Sequence, residues 1–432
     1  MRIRTLGTTR QRVPALPAMV AAWLLIVVGA CGAGPGTPVA PEEPPSENEV
    51  DPLPRFQSVT AGGVHTCALS VDGEAYCWGP NNFGQLGSET EERCLMGEIG
   101  PDGIGTGGIV EAPCSTTPVA VSGGHVFSSL ISHNWYTCGL TEAGEAFCWG
   151  QNHAGQLGDG TQEARSSPEP VVGGHRFRTL SLQGGLTCGL TLSDELLCWG
   201  VGSYPDWEST VPTRRVAEHR FRAVAATRGH TCGVTLDSTT LCWGRNNSLQ
   251  LGVDTISKTC ISGDQEFPCT DVPQRVTDEI PFTALAANVG YTCGLADGGR
   301  AHCWGANRWG QLGDGTLEDR AQPLPVAGGE VFTSITTGRS FACALDVEGS
   351  AFCWGRDSGN FGVGRKWGGA VPEPEAAATG HRFVSLTAGH DHVCGLDEEG
   401  IVYCWGANTW GQVGNGGSLE TVLTPVRVAG QQ

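Results

Sequence analysis

Long apolar runs are missing from this chain. The most apolar stretch, Ala18 to Val28, is about eleven residues, too short to cross a bilayer as a stable helix. Methionine is down to three residues and lysine is nearly absent. No nucleophile elbow, Walker glycine loop or HExxH zinc helix occurs, so no catalytic residue and no cofactor is assigned. Paired acids that meet only in three dimensions stay open, because no short motif reveals them. No CxxC knuckle occurs and few histidines accompany the cysteines, which leaves no metal set. No basic stripe offsets a formal charge of −19, and such a surface repels phosphate backbones. Nucleic acid is therefore excluded as an expected partner.

Glycine, by contrast, is plentiful, at 65 of 432 residues. Gly-rich turns between short apolar and aromatic runs read as all-β. One unit recurs seven times. Its mark is Cys-x9-Cys-Trp-Gly, with cysteine pairs Cys67-Cys77, Cys138-Cys148, Cys188-Cys198, Cys232-Cys242, Cys293-Cys303, Cys343-Cys353 and Cys394-Cys404. A phenylalanine stands eleven residues before each first cysteine, from Phe56 to Phe383. Repeats of this length signal solenoids or propellers.

The N-terminus is a different kind of sequence. Four arginines precede the apolar run, as in a signal peptide. The run ends in Val28-Gly29-Ala30-Cys31, which resembles the lipobox of bacterial lipoproteins and makes Cys31 the expected lipid-attachment site. An ordinary secretory peptide cut at Ala30 is the other reading. Residues 31–55 are rich in proline and glutamate and read as an extended tether. The expected domains are thus 1–30 signal peptide, 31–55 tether and 56–432 propeller.

Within a unit, the segments around Phe56, HTCAL and EAYCWG read as three strands. Val71-Asp72-Gly73 joins the last two as a three-residue hairpin loop with glycine third; Asp194 and Ser238 hold that place in two repeats. A three-residue loop sets each first cysteine opposite its partner, within disulfide reach. Cys94-Cys114 and Cys260-Cys269 fall in two insertions, about Ser88–Thr117 and Val253–Asp271. Eighteen of the 19 cysteines are then paired, leaving Cys31. Proline-led runs such as Pro118 to Val121 supply a fourth strand. They precede the phenylalanine strands of repeats two to seven, and one follows the last repeat. The expected architecture is therefore a closed seven-bladed β-propeller of four-stranded blades, with the C-terminal strand completing the first blade. Trp78, Trp149, Trp199, Trp243, Trp304, Trp354 and Trp405 read as packing between blades. His65, His230 and His392 share a position with Tyr136, Leu186, Tyr291 and Phe341, a structural slot for a large side chain.

The segments CWGPNNFGQLG (Cys77–Gly87), CWGQNHAGQLGDGT (Cys148–Thr161), CWGANRWGQLGDGT (Cys303–Thr316) and CWGANTWGQVGNG (Cys404–Gly416) resemble the repeats of the regulator of chromosome condensation (RCC1) family. Repeats three and six depart from the pattern; VGSYPDWES follows Gly200 in repeat three. The resemblance implies the propeller fold. It carries over no functional residue, because those of the founder lie outside the repeat consensus.

Strand alternation puts the GQLG segments and both insertions on one face. Phe83, Trp309 and Trp410 recur there before GQ[LV]G, with Trp207 and Trp367 in divergent connectors. These five are the candidate binding face, and covering blade junctions is their other reading. The expected function is a monomeric, non-catalytic protein-binding or scaffolding propeller. Its expected setting is the bacterial cell envelope, as an outer-membrane lipoprotein whose partner is an envelope or extracellular protein and whose only membrane contact is the lipid. The alternative is an envelope enzyme acting on glycans, a hydrolase or lyase with acids converging on the channel or loop rim.

Overall fold

The structure, a computed structural model, describes residues 53–99, 105–203, 206–262, 265–277, 279–365 and 369–431. Cys31, Trp367 and the expected signal peptide lie outside them. The described residues form seven antiparallel sheets. Blade one sets the pattern, with strands β1 (Phe56–Ala61), β2 (Thr66–Ser70), β3 (Ala75–Pro80), β4 (Arg93–Ile99) and β5 (Gly105–Ala120), in the order β1-β2-β3-β5-β4. Every residue of β2 is buried, as a strand flanked on both sides must be.

The hairpin between β2 and β3 places Cys67 opposite Cys77. The seven repeat pairs are disulfide-bonded, with Cα atoms 4.0 to 4.1 Å apart. Cys94 is bonded to Cys114 and Cys260 to Cys269. In the two hairpin loops without glycine, Asp194 and Ser238 take positive φ, at 62° and 70°. The glycine after each tryptophan sits at a bulge toward the fourth strand. Gly200 has φ +94°, and a Cβ there would overlap the carbonyl oxygen of Gly185.

The fourth strand corrects the expected closure. Each proline-led run pairs with the cysteine-tryptophan strand before it: Cys77 faces Val119 in blade one, and Cys404 faces Val426 in blade seven. The chain leaves β3 through the connector and turns back antiparallel along the same strand. Every blade is therefore contiguous in sequence, and Glu420–Arg427 is the outer strand of blade seven. Among the described residues no sheet is shared between the two ends, so the closed form with strand exchange is not what this chain adopts. The end blades meet by packing. Phe56, Ala68 and Trp78 share one core cluster with Leu396, Val402 and Val413.

The first insertion is corrected in the same way. Cys114 and Ser115 pair with Pro80 and Gly79, so the far arm of the insertion is the outer strand of the blade. The Cys94–Cys114 hairpin is an overhang of that strand. Thr259–Ser262 and Gln265–Arg275 form the matching overhang on blade four.

Candidate functional site

Three kinds of side chain hold neighbouring blades together, and they define which surfaces are left over. The first kind is the tryptophan. The Trp149 indole donates to the carbonyl of Gln85 in the preceding blade at 3.1 Å, and the Trp304 indole to that of Gln250 at 3.1 Å. Trp78, Trp199, Trp354 and Trp405 do the same with Gln412, Gln156, Gln311 and Asn360. The second kind fills the slot before the first cysteine. His65 Nε2 lies 2.8 Å from Thr137 Oγ1, His230 Nε2 2.7 Å from Thr292 Oγ1, and His392 Nε2 2.9 Å from Thr66 Oγ1. The Tyr136 hydroxyl donates to the carbonyl of Leu186 at 2.8 Å. Burial pushes the histidines down, His65 to about 4 and His230 and His392 to about 3.

The third kind lines the central channel, which encloses about 290 Å³. Thr60 Oγ1 accepts from the Ser132 amide of the next blade at 3.0 Å, Ser181 Oγ from Ala226 at 2.9 Å, Thr336 Oγ1 from Ala388 at 3.1 Å, and Thr387 Oγ1 from Ala61 at 3.0 Å. Ile131, Ala225 and Ala286 hold the equivalent register position, opposite the first cysteine, in the other three blades. Among the described residues lining the channel, His133 is the one titratable side chain. It stands 5.8 Å from the His390 ring, measured between centroids. Burial lowers both imidazoles; His390 and His65 depress His133 further, while Asp391 partly offsets the effect of burial on His390.

The candidate aromatics divide into separate places. Phe83 and Trp410 come together through Trp135, at 5.6 and 5.7 Å between centroids. Trp410 packs on the Cys94–Cys114 hairpin. A groove of about 450 Å³ beside Phe83 runs between the connector of blade one and Ala164 and Ser166 of blade two. Trp309 is elsewhere, covered by the guanidinium groups of Arg308 and Arg356 at 5.1 and 4.9 Å. Trp207 lies in the junction of blades three and four, under Arg215 at 4.5 Å. Trp135 escaped the sequence reading. Its signal was there, since the same turn position holds Val64, Gly185, Gly229, Gly290, Ser340 and Asp391 in the other repeats.

Both stapled hairpins hold apolar side chains out to solvent. Leu95 is 50% and Ile109 79% exposed on the first, and Ile261 and Val272 are each 61% exposed on the second. Among the described residues, Glu92, Cys94 and Cys114 are the one group placed as metal ligands are, but the two sulfurs are joined to each other. The Asp-Gly-Thr turns likewise satisfy themselves. Burial works against the Asp314 charge, yet the Arg320 guanidinium at 2.8 Å and Thr316 hold it below the usual carboxylate range.

Comparison with known proteins follows the repeats. Two models described as the regulator of chromosome condensation (RCC1) repeat match, one at residues 56–85 and 383–412, the other at 72–128, 143–185, 298–345 and 399–432. The chain is 28% identical over 189 residues to the ultraviolet-B receptor UVR8 of Arabidopsis thaliana, covering 43% of this chain and 40% of the receptor. It is 32% identical over 109 residues to the human probable E3 ubiquitin-protein ligase HERC3, covering 25% of this chain and 9% of the ligase. It thus spans less than half the length of either relative. Among solved structures, Prp20p of Saccharomyces cerevisiae superposes with a TM-score of 0.67 at 21% identity, covering 83% of this chain and 87% of that one. Human WBSCR16 does so at 0.67 and 18%, covering 82% and 94%. These relatives are eukaryotic proteins, and none is a bacterial lipoprotein. The bacterial, envelope-anchored setting expected from the N-terminus is corrected accordingly. Repeats and fold together make this chain an RCC1-like seven-bladed propeller.

Proposed function

We propose that the propeller is a non-catalytic protein-binding or scaffolding module that engages its partner with the connector face. The observation that carries this reading is the pair of disulfide-braced hairpins that extend blades one and four and expose Leu95, Ile109, Ile261 and Val272. A braced hairpin loses little freedom on binding, so apolar contacts made there are not offset by ordering the loop. Exposed apolar groups on a rigid rim are what a protein interface uses. The groove beside Phe83 and the Phe83–Trp135–Trp410 cluster adjoin the first hairpin and enlarge the surface. The yeast protein Prp20p, which shares this fold, binds Gsp1p and histones and forms a complex with Kap60, which supports a protein-binding reading. The glycan-enzyme alternative has less support, because the channel lining offers no carboxylate among the described residues.

The test is a double substitution, Leu95→Asn with Ile109→Asn, on a chain otherwise intact. Removing residues 88–117 is the wrong experiment, because it cuts into the outer strand of blade one. Proximity labelling in the source cells should recover a partner with the wild type and lose it with the double variant, at unchanged unfolding temperature. Identical partner sets for the two proteins reject the reading.

A further inference from the structure

One of the seven blade junctions is built differently. In six, the connector of the preceding blade supplies a main-chain carbonyl to the tryptophan indole and a fully buried side chain to the core: Leu86, Leu157, Leu251, Leu312, Phe361 or Val413, each 0% exposed. Among the described residues blade three has no such connector. After Gly200 its third strand runs straight into a hairpin, with Val201 opposite Glu208 and Gly202 opposite Trp207. Trp207 enters the core cluster in place of the missing side chain, but only half-buried. Trp243 of blade four is half-buried too, and its indole N–H has no acceptor among the described residues.

The missing connector leaves a cavity of about 30 Å³, lined by Leu186, Trp207, Arg215, His230, Thr231 and Trp243. On this measure a water needs about 10–15 Å³, so the space admits a group of a few heavy atoms. Both ring nitrogens of His230 are already engaged, Nδ1 by Thr227 at 3.0 Å and Nε2 by Thr292 at 2.7 Å. The donors left are the Trp243 N–H, the Thr231 hydroxyl and the Arg215 guanidinium. Arg215 makes no ion pair among the described residues. Asp271, the acid whose charge it feels, is bonded to Lys258 at 2.7 Å.

We propose that the junction of blades three and four binds a carboxylate attached to a short apolar group. The carboxylate accepts from Trp243 Nε1 and Arg215, taking the place of the connector carbonyl, and the apolar group lies against the Trp207 ring. A small free acid and the C-terminal carboxylate of a peptide share this chemistry. The site lies at the junction of blades three and four and takes no residue from the first stapled hairpin, so the double variant at Leu95 and Ile109 leaves it intact.

The experiment follows the indole N–H resonances of the whole protein during titration with three probes: isovalerate, acetyl-Gly-Gly-Leu with a free carboxylate, and the same peptide as its C-terminal amide. The expected result is a saturable shift of one indole resonance, absent from Trp243→Phe, with a dissociation constant of about 1 mM or tighter for at least one carboxylate. The amide should bind at least about tenfold more weakly, as should either carboxylate to Arg215→Gln, since charge-assisted bonds are the strong ones. Tighter binding of the peptide assigns the site to a partner's C-terminus, and equal or tighter binding of isovalerate assigns it to a free acid. Arg215 is exposed, so its variant reports even if Trp243→Phe does not fold. No shift with any probe, or equal binding of amide and carboxylates, overturns the proposal and leaves ordered water as the occupant.

Discussion

The packing between blades and the connector face obey different rules. Between blades, a few contacts recur around most of the ring: six of the seven tryptophans donate to a main-chain carbonyl and four slot residues reach the next threonine, while each blade is braced internally by a disulfide in register. On the connector face the blades diverge more, although blades two and five share one Asn–Asp–Thr–Arg turn and blades one and four each carry a stapled hairpin. Blade one carries a stapled hairpin, blade three has lost its connector, and Trp309 of blade five lies under two arginines. Where a connector is altered, as at the junction of blades three and four, the apolar contacts that remain still pack the two blades together. The face is therefore free to vary without threatening the fold, which is where a binding surface belongs.

The sharpest way to break this comparison is to truncate two tryptophans. Trp304 is fully buried and bonded to Gln250, so Trp304→Ala should cost about 3–5 kcal/mol. Trp243→Ala, at the junction that lacks a connector, should cost clearly less. Urea unfolding of both variants measures the difference, and equal losses would mean that the altered junction is as tightly built as the rest.

The slot histidines give a smaller, graded effect. Their folded pKa values lie near 3 to 4, below the ordinary 6.5. The unfolded chain thus takes up protons that the folded one refuses. Stability is complete above pH 6.5 and falls as pH drops toward the folded values, by about 1.4 kcal/mol per pH unit for each histidine. Repeat six already fills the slot with Phe341. Replacing His65 by Phe should flatten the dependence between pH 6.5 and 5 by one histidine's share. An unchanged slope would show that other groups drive acid unfolding.

The smallest expected effect is at the seam. Thr387→Val removes the hydroxyl that accepts from Ala61 and should cost about 0.5–1.5 kcal/mol. The same change at Thr336, between blades six and seven, should cost as much. A larger loss at Thr387 would mark the seam as weaker than an ordinary junction.

Much of the ring was legible because its signals are local. A three-residue loop fixes which cysteines face each other, and alternation turns the following tryptophan to the opposite side. The fourth strand was misplaced because a proline-led run lies between two strands in sequence, and its side-chain pattern does not say which one it pairs with. Only the register, Val119 against Cys77, does. The channel hydroxyls were countable, since each stands opposite a first cysteine, but what they bond belongs to the next blade. The junction pocket was the least legible. VGSYPDWES was visible as a departure, but a departure alone does not say that an indole has lost its acceptor.

Contiguity of each blade has a consequence for how the chain is made. A ring that exchanged strands would leave blade one unfinished until the last residues emerged. Here blade one has all its strands, and the partner for its repeat disulfide, within residues 56–120. Each blade is thus able to oxidise and pair as it appears, and only the final docking of blade seven on blade one must wait. The seam repeats the contacts of the other junctions, Trp78 to Gln412 and Thr387 to Ala61. New chain ends opened between any two blades, with the old ends joined, would therefore leave every sheet whole.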